Sequence, residues 1–205
     1  DYFTIFNLSV SLILASSSSF RKAILDKLGL DFEVVAPEIN EARRENESPI
    51  DLVARLSKEK AMAVAKSKTG LIIASDQVAT LDSGYKPNDS VLTKPGSHEN
   101  AVLQLKKSSG KTVNFLTGLV LMNTENHNTQ VHVEQFKVSF KALSEKQILN
   151  YLSKEDVLNC AGSFKSEGLG IALFSEMEGN DPNSLIGLPT IQLIDMLAKE
   201  NVHVL

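Results

Sequence analysis

The chain has 205 residues, of which 42% are hydrophobic, and a formal charge of −4 at neutral pH. A chain of this length and composition can bury a sizeable core, either as one large domain or as two small lobes. The mild acidity excludes a general nucleic-acid-binding surface, which needs a basic face, but it allows a local basic pocket for a small anion. We therefore expect a globular protein without a nucleic acid partner.

Cysteine usage and hydropathy indicate where such a protein resides. A single cysteine, Cys160, rules out an internal disulfide framework and favours a reducing compartment. No apolar run approaches the roughly 20 residues that span a bilayer, so no membrane association is predicted. Residues 1–7 have neither a methionine start nor the basic flank of a secretory signal. We interpret residues 1–10 as an N-terminal extension or a processed end, and we expect a soluble, cytoplasmic protein.

Strand and helix signals alternate along the chain. The apolar run Leu12–Ala15 predicts a buried strand, and Phe20–Leu28 has the apolar spacing of a helix. Ser48-Pro-Ile-Asp51 predicts the start of a second helix, because a capping serine is followed by proline in the first turn and by an acid three residues on. The other predicted elements are a strand near Phe32–Val35, the end of the second helix near Lys66, a strand at Leu71–Ala74 with a candidate continuation at Val78–Leu81, a helix from Ser97 through Lys107, strands at Thr112–Met122 and Val131–Phe140, a helix at Ser144–Leu152, a strand at Gly168–Phe174 and a helix at Pro189–Ala198.

This order predicts an α/β fold with a mixed sheet. The two central strands are joined by the short polar turn Asn123–Thr129, so they must be antiparallel. The flanking strand–helix–strand units instead suggest parallel crossovers.

Four consecutive serines, Ser16–Ser19, fill the tight turn between the first strand and the first helix. One serine would be enough to cap the helix. The surplus hydroxyls, the free N–H groups of a helix start and the forked cation of Arg21 in the first turn are typical of a phosphate site. The turn therefore favours an anion site over simple capping.

Two charged residues occupy positions where the pattern predicts burial. Lys60 lies on the apolar face of the second helix, where it is either a lysine whose amine reaches water or an amine held beside an anion. Asp76 directly follows the apolar run Leu71–Ala74 and Ser75, at the predicted end of a buried strand, where α/β proteins place their chemistry. Asp76 is either a turn residue or a group that holds a divalent cation or deprotonates a water.

The loop Cys160–Gly170 mixes three glycines with Ser163, Lys165, Ser166 and Glu167, which is more typical of a ligand site than of a spacer. Gly179–Ser184 is interpreted as a turn first and a site second. Neither the four histidines nor Cys160 has the spacing of zinc ligands, and no Walker or G-x-G-x-x-G motif is present.

Taken together, these segments resemble the Maf-like nucleotide pyrophosphatases. The resemblance covers nearly the whole chain from Leu12 onward, and several motifs occur in the same order. They are Leu-Ala-Ser-Ser-Ser-Ser-Phe-Arg21, Ala36-Pro-Glu-Ile-Asn-Glu41, Arg55-Leu-Ser-Lys-Glu-Lys-Ala61, Ser75-Asp-Gln-Val78, Thr93-Lys-Pro95 and Ala161-Gly-Ser-Phe-Lys-Ser-Glu-Gly168. The resemblance implies an elongated Maf/ITPase-like fold in which residues 11–205 form a single domain of two lobes around a central cleft.

The resemblance also implies a role for each site residue. Asp76 would be the general base, and a divalent metal cation, Mg²⁺ or Mn²⁺, would lie near Asp76 and Glu41. By the same resemblance, residues from several segments would hold the substrate. Lys60, Lys94 and Arg21 would bind the triphosphate with Ser16 and Ser17 of the serine turn, and Phe20, Gln77 and Glu167 would set base choice.

The motif Ser75-Asp-Gln-Val78 and the loop that contains Glu167 resemble those of the 7-methyl-GTP pyrophosphatase branch. This resemblance implies that the protein releases pyrophosphate from N7-methylated GTP. It would thereby remove modified nucleotides before they enter nucleic acids. Two alternatives stay open. One is the dTTP/UTP pyrophosphatase branch, and the other is a non-catalytic nucleotide-binding division inhibitor. The nucleoside triphosphate is the expected partner, and the sequence leaves a homodimer open.

Overall fold

A computed structural model describes residues 10–205 of the chain, so residues 1–9 of the predicted extension lie outside the described part. Six strands form one sheet in the order β2-β1-β3-β4-β5-β6. The strands are β1 Leu12–Ala15, β2 Glu33–Val35, β3 Leu71–Thr80, β4 Thr112–Asn123, β5 Thr129–Phe140 and β6 Phe174–Glu178. β1 is parallel to both β2 and β3, whereas β3 to β6 pair antiparallel. The predicted mixed sheet is confirmed.

Helices flank this sheet, and those with a predicted serine cap begin directly after it. They are α1 Ser19–Asp26, α2 Pro49–Ala65, α3 His98–Ser108, α4 Glu145–Leu152, α5 Pro182–Ile186 and α6 Thr190–Lys199. Ser18, Ser48, Ser97 and Ser144 each accept a hydrogen bond from the N–H three residues on, which satisfies one free donor of the helix start. Within residues 10–205, no helix is long and apolar enough to cross a membrane.

The parallel strands are covered on both faces, as their uninterrupted apolar runs require. Leu12 and Leu14 pack on one face of the sheet with side chains of α1 and α6. Ile13 and Ala15 pack on the other face with Ala61 and other side chains of α2.

A second core lies around β4, β5 and β6 and is rich in aromatic side chains. Phe115, Phe140, Phe164 and Phe174 form edge-to-face pairs with ring centroids 4.8 to 5.4 Å apart. This geometry is the one that aromatic quadrupoles favour. These rings belong to a cluster distinct from the one that packs Leu12 and Leu14.

The predicted strand at Gly168–Phe174 is wrong. Leu169–Leu173 forms a 3-10 helix, and the strand begins only at Phe174. A Cβ on Gly170 would lie 2.1 Å from the carbonyl oxygen of Lys165, so the chain folds tightly back on itself here. Apolar composition alone could not distinguish this compact turn from a strand.

Asp76 does not terminate a strand, which corrects a second prediction. β3 continues through Asp76 to Thr80, and Asp76 pairs with Gly118 of β4. What ends near Asp76 is the neighbouring strand β1, whose last pair joins Ala15 to Ala74. Asp76 therefore lies just beyond the carboxyl end of the parallel pair, next to the serine turn that follows β1.

Gly118 lets α2 approach β4 closely. A Cβ at this position would lie 2.4 Å from the backbone oxygen of Val53 and 2.5 Å from Ser57 Oγ. We expect Gly118→Ala to lower the free energy of unfolding by about 1–3 kcal/mol, because a backbone atom cannot move aside as a flexible side chain can. Urea unfolding followed by circular dichroism measures this. A loss below about 0.5 kcal/mol would contradict the close approach.

Candidate active site

All ten predicted site residues line one cavity of about 740 Å³. The serine turn, α2, β3 and the loop before α3 contribute to its wall, together with the 156–167 segment. The predicted members on the wall are Ser16, Ser17, Phe20, Arg21, Glu41, Lys60, Asp76, Gln77, Lys94 and Glu167. Their common location is observed, whereas their chemical roles remain predictions.

A lysine between two carboxylates forms one part of this wall. Lys60 Nζ lies 2.5 Å from Asp76 Oδ1 and 3.0 Å from Glu41 Oε1. The side chains of Lys60 and Asp76 are only 8% and 11% exposed, whereas that of Glu41 is 61% exposed. Of the two interpretations of Lys60, the amine held beside an anion is correct. Since a buried ion pair contributes little net stability, this arrangement is better explained by chemistry than by folding.

Arg21 adds a second cation to the same region. Its Nε donates to the carbonyl oxygen of Gly187 at 2.7 Å, and no protein acceptor within residues 10–205 contacts Nη1 or Nη2. Burial lowers the pKa of the Arg21 guanidinium, and the negative charges of Asp76 and Glu41 oppose that shift. The guanidinium stays charged, and the N–H groups of Nη1 and Nη2 can donate hydrogen bonds to a bound anion.

In the serine turn, some hydroxyls make local hydrogen bonds and others are exposed to the cavity. Ser18 caps α1, and buried Ser16 accepts a hydrogen bond from the Ser18 N–H at 3.0 Å. Ser17 and Ser19 are exposed and line the cavity. Two of the four serines therefore have local structural roles, which accounts for part of the surplus that the sequence suggested.

Gln77 has a fixed amide orientation. Its Nε2 donates to the carbonyl oxygens of Ser184 and Leu185 at 2.8 and 3.1 Å, and lies 3.0 Å from Thr117 Oγ1. Because carbonyl oxygens only accept, both N–H groups are used within the protein. Gln77 can offer a ligand only its Oε1, which is a hydrogen-bond acceptor.

The cavity lining also includes an aromatic ring and two further charged side chains. Lys165 Nζ lies 5.8 Å from the centroid of the half-buried Phe20 ring, within cation–π range. Glu167 is exposed and lies beside Ser166, whose Oγ is 3.4 Å from Glu167 Oε2. The cavity lining thus includes both a π surface and a carboxylate acceptor.

Lys94 is exposed on the cavity wall, and its loop is held in place by Arg43. The Arg43 guanidinium donates to the carbonyls of Asp89 and Pro87 at 2.9 and 3.0 Å, and to that of Glu47 at 2.8 Å. Arg43 therefore joins the Glu41 loop to the long turn that precedes Lys94.

Carboxylates on the cavity wall are candidate metal ligands. Among residues 10–205, no three His, Cys, Asp or Glu side chains come together as a ligand set. Asp76 and Glu41 nevertheless approach the same point, since both contact Lys60 Nζ. Two carboxylates completed by substrate phosphates and water suit Mg²⁺, which is seldom held by protein ligands alone. The residues present fit the predicted divalent cation.

The Cys160 thiol lies on the cavity wall and is partly buried. Burial raises its pKa to about 11. Since the thiolate is the nucleophile, we expect alkylation by iodoacetamide at pH 8 to be ~100-fold slower than that of a free thiol, and to accelerate as the pH rises towards 11. Intact-mass spectrometry over time measures the rate. A rate equal to that of glutathione at pH 8 would contradict this environment.

Several residues of the site were missed from the sequence. Ser75, Thr117, Ser184 and Gly187 contact Gln77 or Arg21, or share their acceptors. Their partners lie up to 166 residues away in the chain, and no local pattern signals such contacts. Of the predicted turn Gly179–Ser184, residues 182–184 belong to α5, which is too short for its periodicity to be seen.

Comparison with known proteins identifies the family. The family model described as "Maf-like protein" matches residues 11–200. A protein of Idiomarina loihiensis is 49% identical over 199 residues, covering 96% of this chain and 98% of its own, and one of Alcanivorax borkumensis is 52% identical over 194 residues, covering 94% and 95%. A Colwellia psychrerythraea protein is 50% identical over 196 residues, covering 95% of each. All three are named 7-methyl-GTP pyrophosphatase.

Solved structures show weaker similarity. A Mycobacterium abscessus nucleoside-triphosphatase, also called dITP/XTP pyrophosphatase, has a TM-score of 0.46 at 16% identity and covers 93% of both chains. A HAM1 protein from Coxiella burnetii has a TM-score of 0.49 at 14% identity, covering 93% of this chain and 99% of its own. The family assignment rests on the sequence matches: the chain belongs to the Maf-like protein family.

Proposed function

We propose that this chain hydrolyses 7-methyl-GTP to 7-methyl-GMP and pyrophosphate in the cytoplasm, and so keeps the modified nucleotide out of nucleic acids. The main support is one cavity whose lining combines cations, carboxylates and the aromatic ring of Phe20. The chain is also about half identical to relatives named 7-methyl-GTP pyrophosphatase. We also propose that residues 11–205 act as a single domain.

Asp76 is the base in this proposal. Its Oδ1 accepts from Lys60, and the described residues supply no donor to Oδ2. Oδ2 takes a proton from a water as the water oxygen attacks the α-phosphorus. The bond between that phosphorus and the bridging oxygen to the β-phosphorus breaks, and pyrophosphate leaves with the electron pair. Such proton transfer contributes typically ~10²–10⁴-fold to a rate.

Cations of the cavity stabilise the charge that develops on the phosphates. Lys60 lies beside the base, and the free Nη groups of Arg21 and the exposed amine of Lys94 complete the set. Ser16 and Ser17 of the serine turn lie next to them. Asp76 and Glu41 would hold Mg²⁺ or Mn²⁺, which when bound supplies Lewis-acid stabilisation of the phosphate oxygens.

Base choice follows from the acceptors that the cavity lining supplies. Gln77 offers only Oε1 and Glu167 offers a carboxylate, so the site favours a base edge that carries adjacent donors. Guanine has them in N1–H and its exocyclic amine, whereas uracil and thymine have a single N–H between two carbonyls. The Phe20 ring can stack on a purine, and methylation at N7 makes that purine cationic, which strengthens attraction to a π face.

A panel of 7-methyl-GTP, GTP, dTTP, UTP and CTP, assayed for pyrophosphate with Mg²⁺, Mn²⁺ or chelator, tests this proposal. We expect the highest kcat/KM for 7-methyl-GTP and loss of turnover with chelator. A preference for dTTP or UTP would instead establish the pyrimidine branch. Binding of nucleotides without any turnover would establish the non-catalytic inhibitor.

A further inference from the structure

We infer that the last turn of α5, Ser184–Gly187, is a positioning element that orients Arg21 and Gln77 together. This inference rests on the proposed function, in which these two residues bind the phosphates and read the base. α5 spans Pro182–Ile186, and a helix leaves its last carbonyl groups without partners inside the helix.

Side chains from three distant segments satisfy those carbonyls. The Ser184 oxygen accepts from Gln77 Nε2 at 2.8 Å and from Thr117 Oγ1 at 3.0 Å. The Leu185 oxygen accepts from Gln77 at 3.1 Å. The Gly187 oxygen accepts from Arg21 Nε at 2.7 Å and from buried Ser75 Oγ at 2.9 Å. One short turn therefore holds both the Arg21 guanidinium and the Gln77 amide.

Asp181 holds this turn from its other end. Its buried carboxylate accepts from the N–H groups of Asn183, Thr190 and Ile191, at 2.8, 2.6 and 2.8 Å. These bonds fasten the starts of both α5 and α6. The turn between them is consequently anchored at each end, and its carbonyls are fixed acceptors for Arg21 and Gln77.

Gly187 is the position at which this arrangement requires glycine. Its φ of +133° belongs to a region that other residues rarely adopt. A Cβ there would also lie 3.4 Å from Arg21 Nε and 3.6 Å from Nη2. These are ordinary van der Waals distances, so the strain of a side chain at 187 would come from φ, and relieving it would turn the carbonyl away from Arg21.

A double-mutant cycle between Gly187→Ala and Arg21→Ala tests the inference. In the wild-type background we expect Gly187→Ala to lower kcat/KM for 7-methyl-GTP on the order of 10²-fold, since small misplacements have effects of that size. In the Arg21→Ala background we expect Gly187→Ala to lower kcat/KM by less than about threefold, because the guanidinium that Gly187 positions is gone. Gly110→Ala is the matched control, with a positive φ of +68° and nothing within 4 Å of the added Cβ.

Equal fold-losses in both backgrounds would overturn the inference, since a purely structural role is independent of Arg21. If Gly187→Ala does not fold, NMR on the wild type decides. We expect the Arg21 Nε–H, assigned by its loss in Arg21→Lys, to exchange with water much more slowly than that of exposed Arg44. Equal exchange would overturn the inference. Absence of turnover in the wild type would instead refute the proposed function, and the exchange measurement would still test the Gly187 contact.

Discussion

Asp76→Asn is expected to lower kcat for 7-methyl-GTP by ~10²–10⁴-fold while nucleotide binding survives. The amide cannot take a proton from water, but its oxygen can still accept from Lys60, which lies 2.5 Å from Oδ1 of the native carboxylate. The fold should persist, because Lys60 keeps Glu41 as an ionic partner. Steady-state kinetics and calorimetric titration with a non-hydrolysable analogue measure the two effects separately.

Asp26→Asn is the control for that experiment. Asp26 pairs with Lys22 on the surface, and both side chains are about half exposed. Removing this charge should change stability and turnover little, as exposed ion pairs contribute ~0–1 kcal/mol. A kcat for Asp76→Asn within threefold of wild type would show that another group, or none, removes the proton.

Glu167→Gln is expected to lower kcat/KM for 7-methyl-GTP by ~10–100-fold, which corresponds to the loss of one hydrogen bond to a charged group. The substituted amide keeps one acceptor but presents a donor where the guanine edge also donates. Relative activity towards UTP and dTTP should rise, because their carbonyls can accept from that new donor. The competing-substrate ratio of kcat/KM is the measurement.

Glu178→Gln controls for a lost surface carboxylate. Glu178 lies on β6, its side chain is 68% exposed, and it pairs with Lys137 at 3.3 Å. The two variants should be equally stable, since exposed substitutions usually change stability by less than ~0.5 kcal/mol. An unchanged substrate ratio in Glu167→Gln would remove Glu167 from base recognition.

Local signals explain which parts of the fold could be predicted. Helices α1 to α4 follow capping serines, and β1 is a short apolar run with a helix directly after it, so neighbouring residues determine both. The 3-10 helix at Leu169–Leu173 was missed because distant contacts decide its form. Glu155 accepts from the Leu169 N–H at 2.8 Å, and this carboxylate would lie 2.5 Å from a Cβ on Gly168.

In the candidate site, too, some residues could be predicted from the sequence and others, which depend on distant contacts, could not. Side chains that the resemblance implied, such as Lys60 and Asp76, do meet in one cavity. The groups that contact Arg21 and Gln77 could not be inferred, because Gly187 and Thr117 contribute a backbone oxygen and a hydroxyl from remote segments. Even the position of Asp76 within β3 depends on pairing with β4, which a single-strand pattern does not reveal.

Hydrolysis of 7-methyl-GTP in ¹⁸O-labelled water, with products resolved by ³¹P NMR and mass spectrometry, shows which phosphorus the water attacks. We expect equal amounts of 7-methyl-GMP and pyrophosphate, with the label only in the monophosphate, because water attacks the α-phosphorus. Label in pyrophosphate would place the attack at the β-phosphorus. Release of orthophosphate and 7-methyl-GDP would contradict the account altogether.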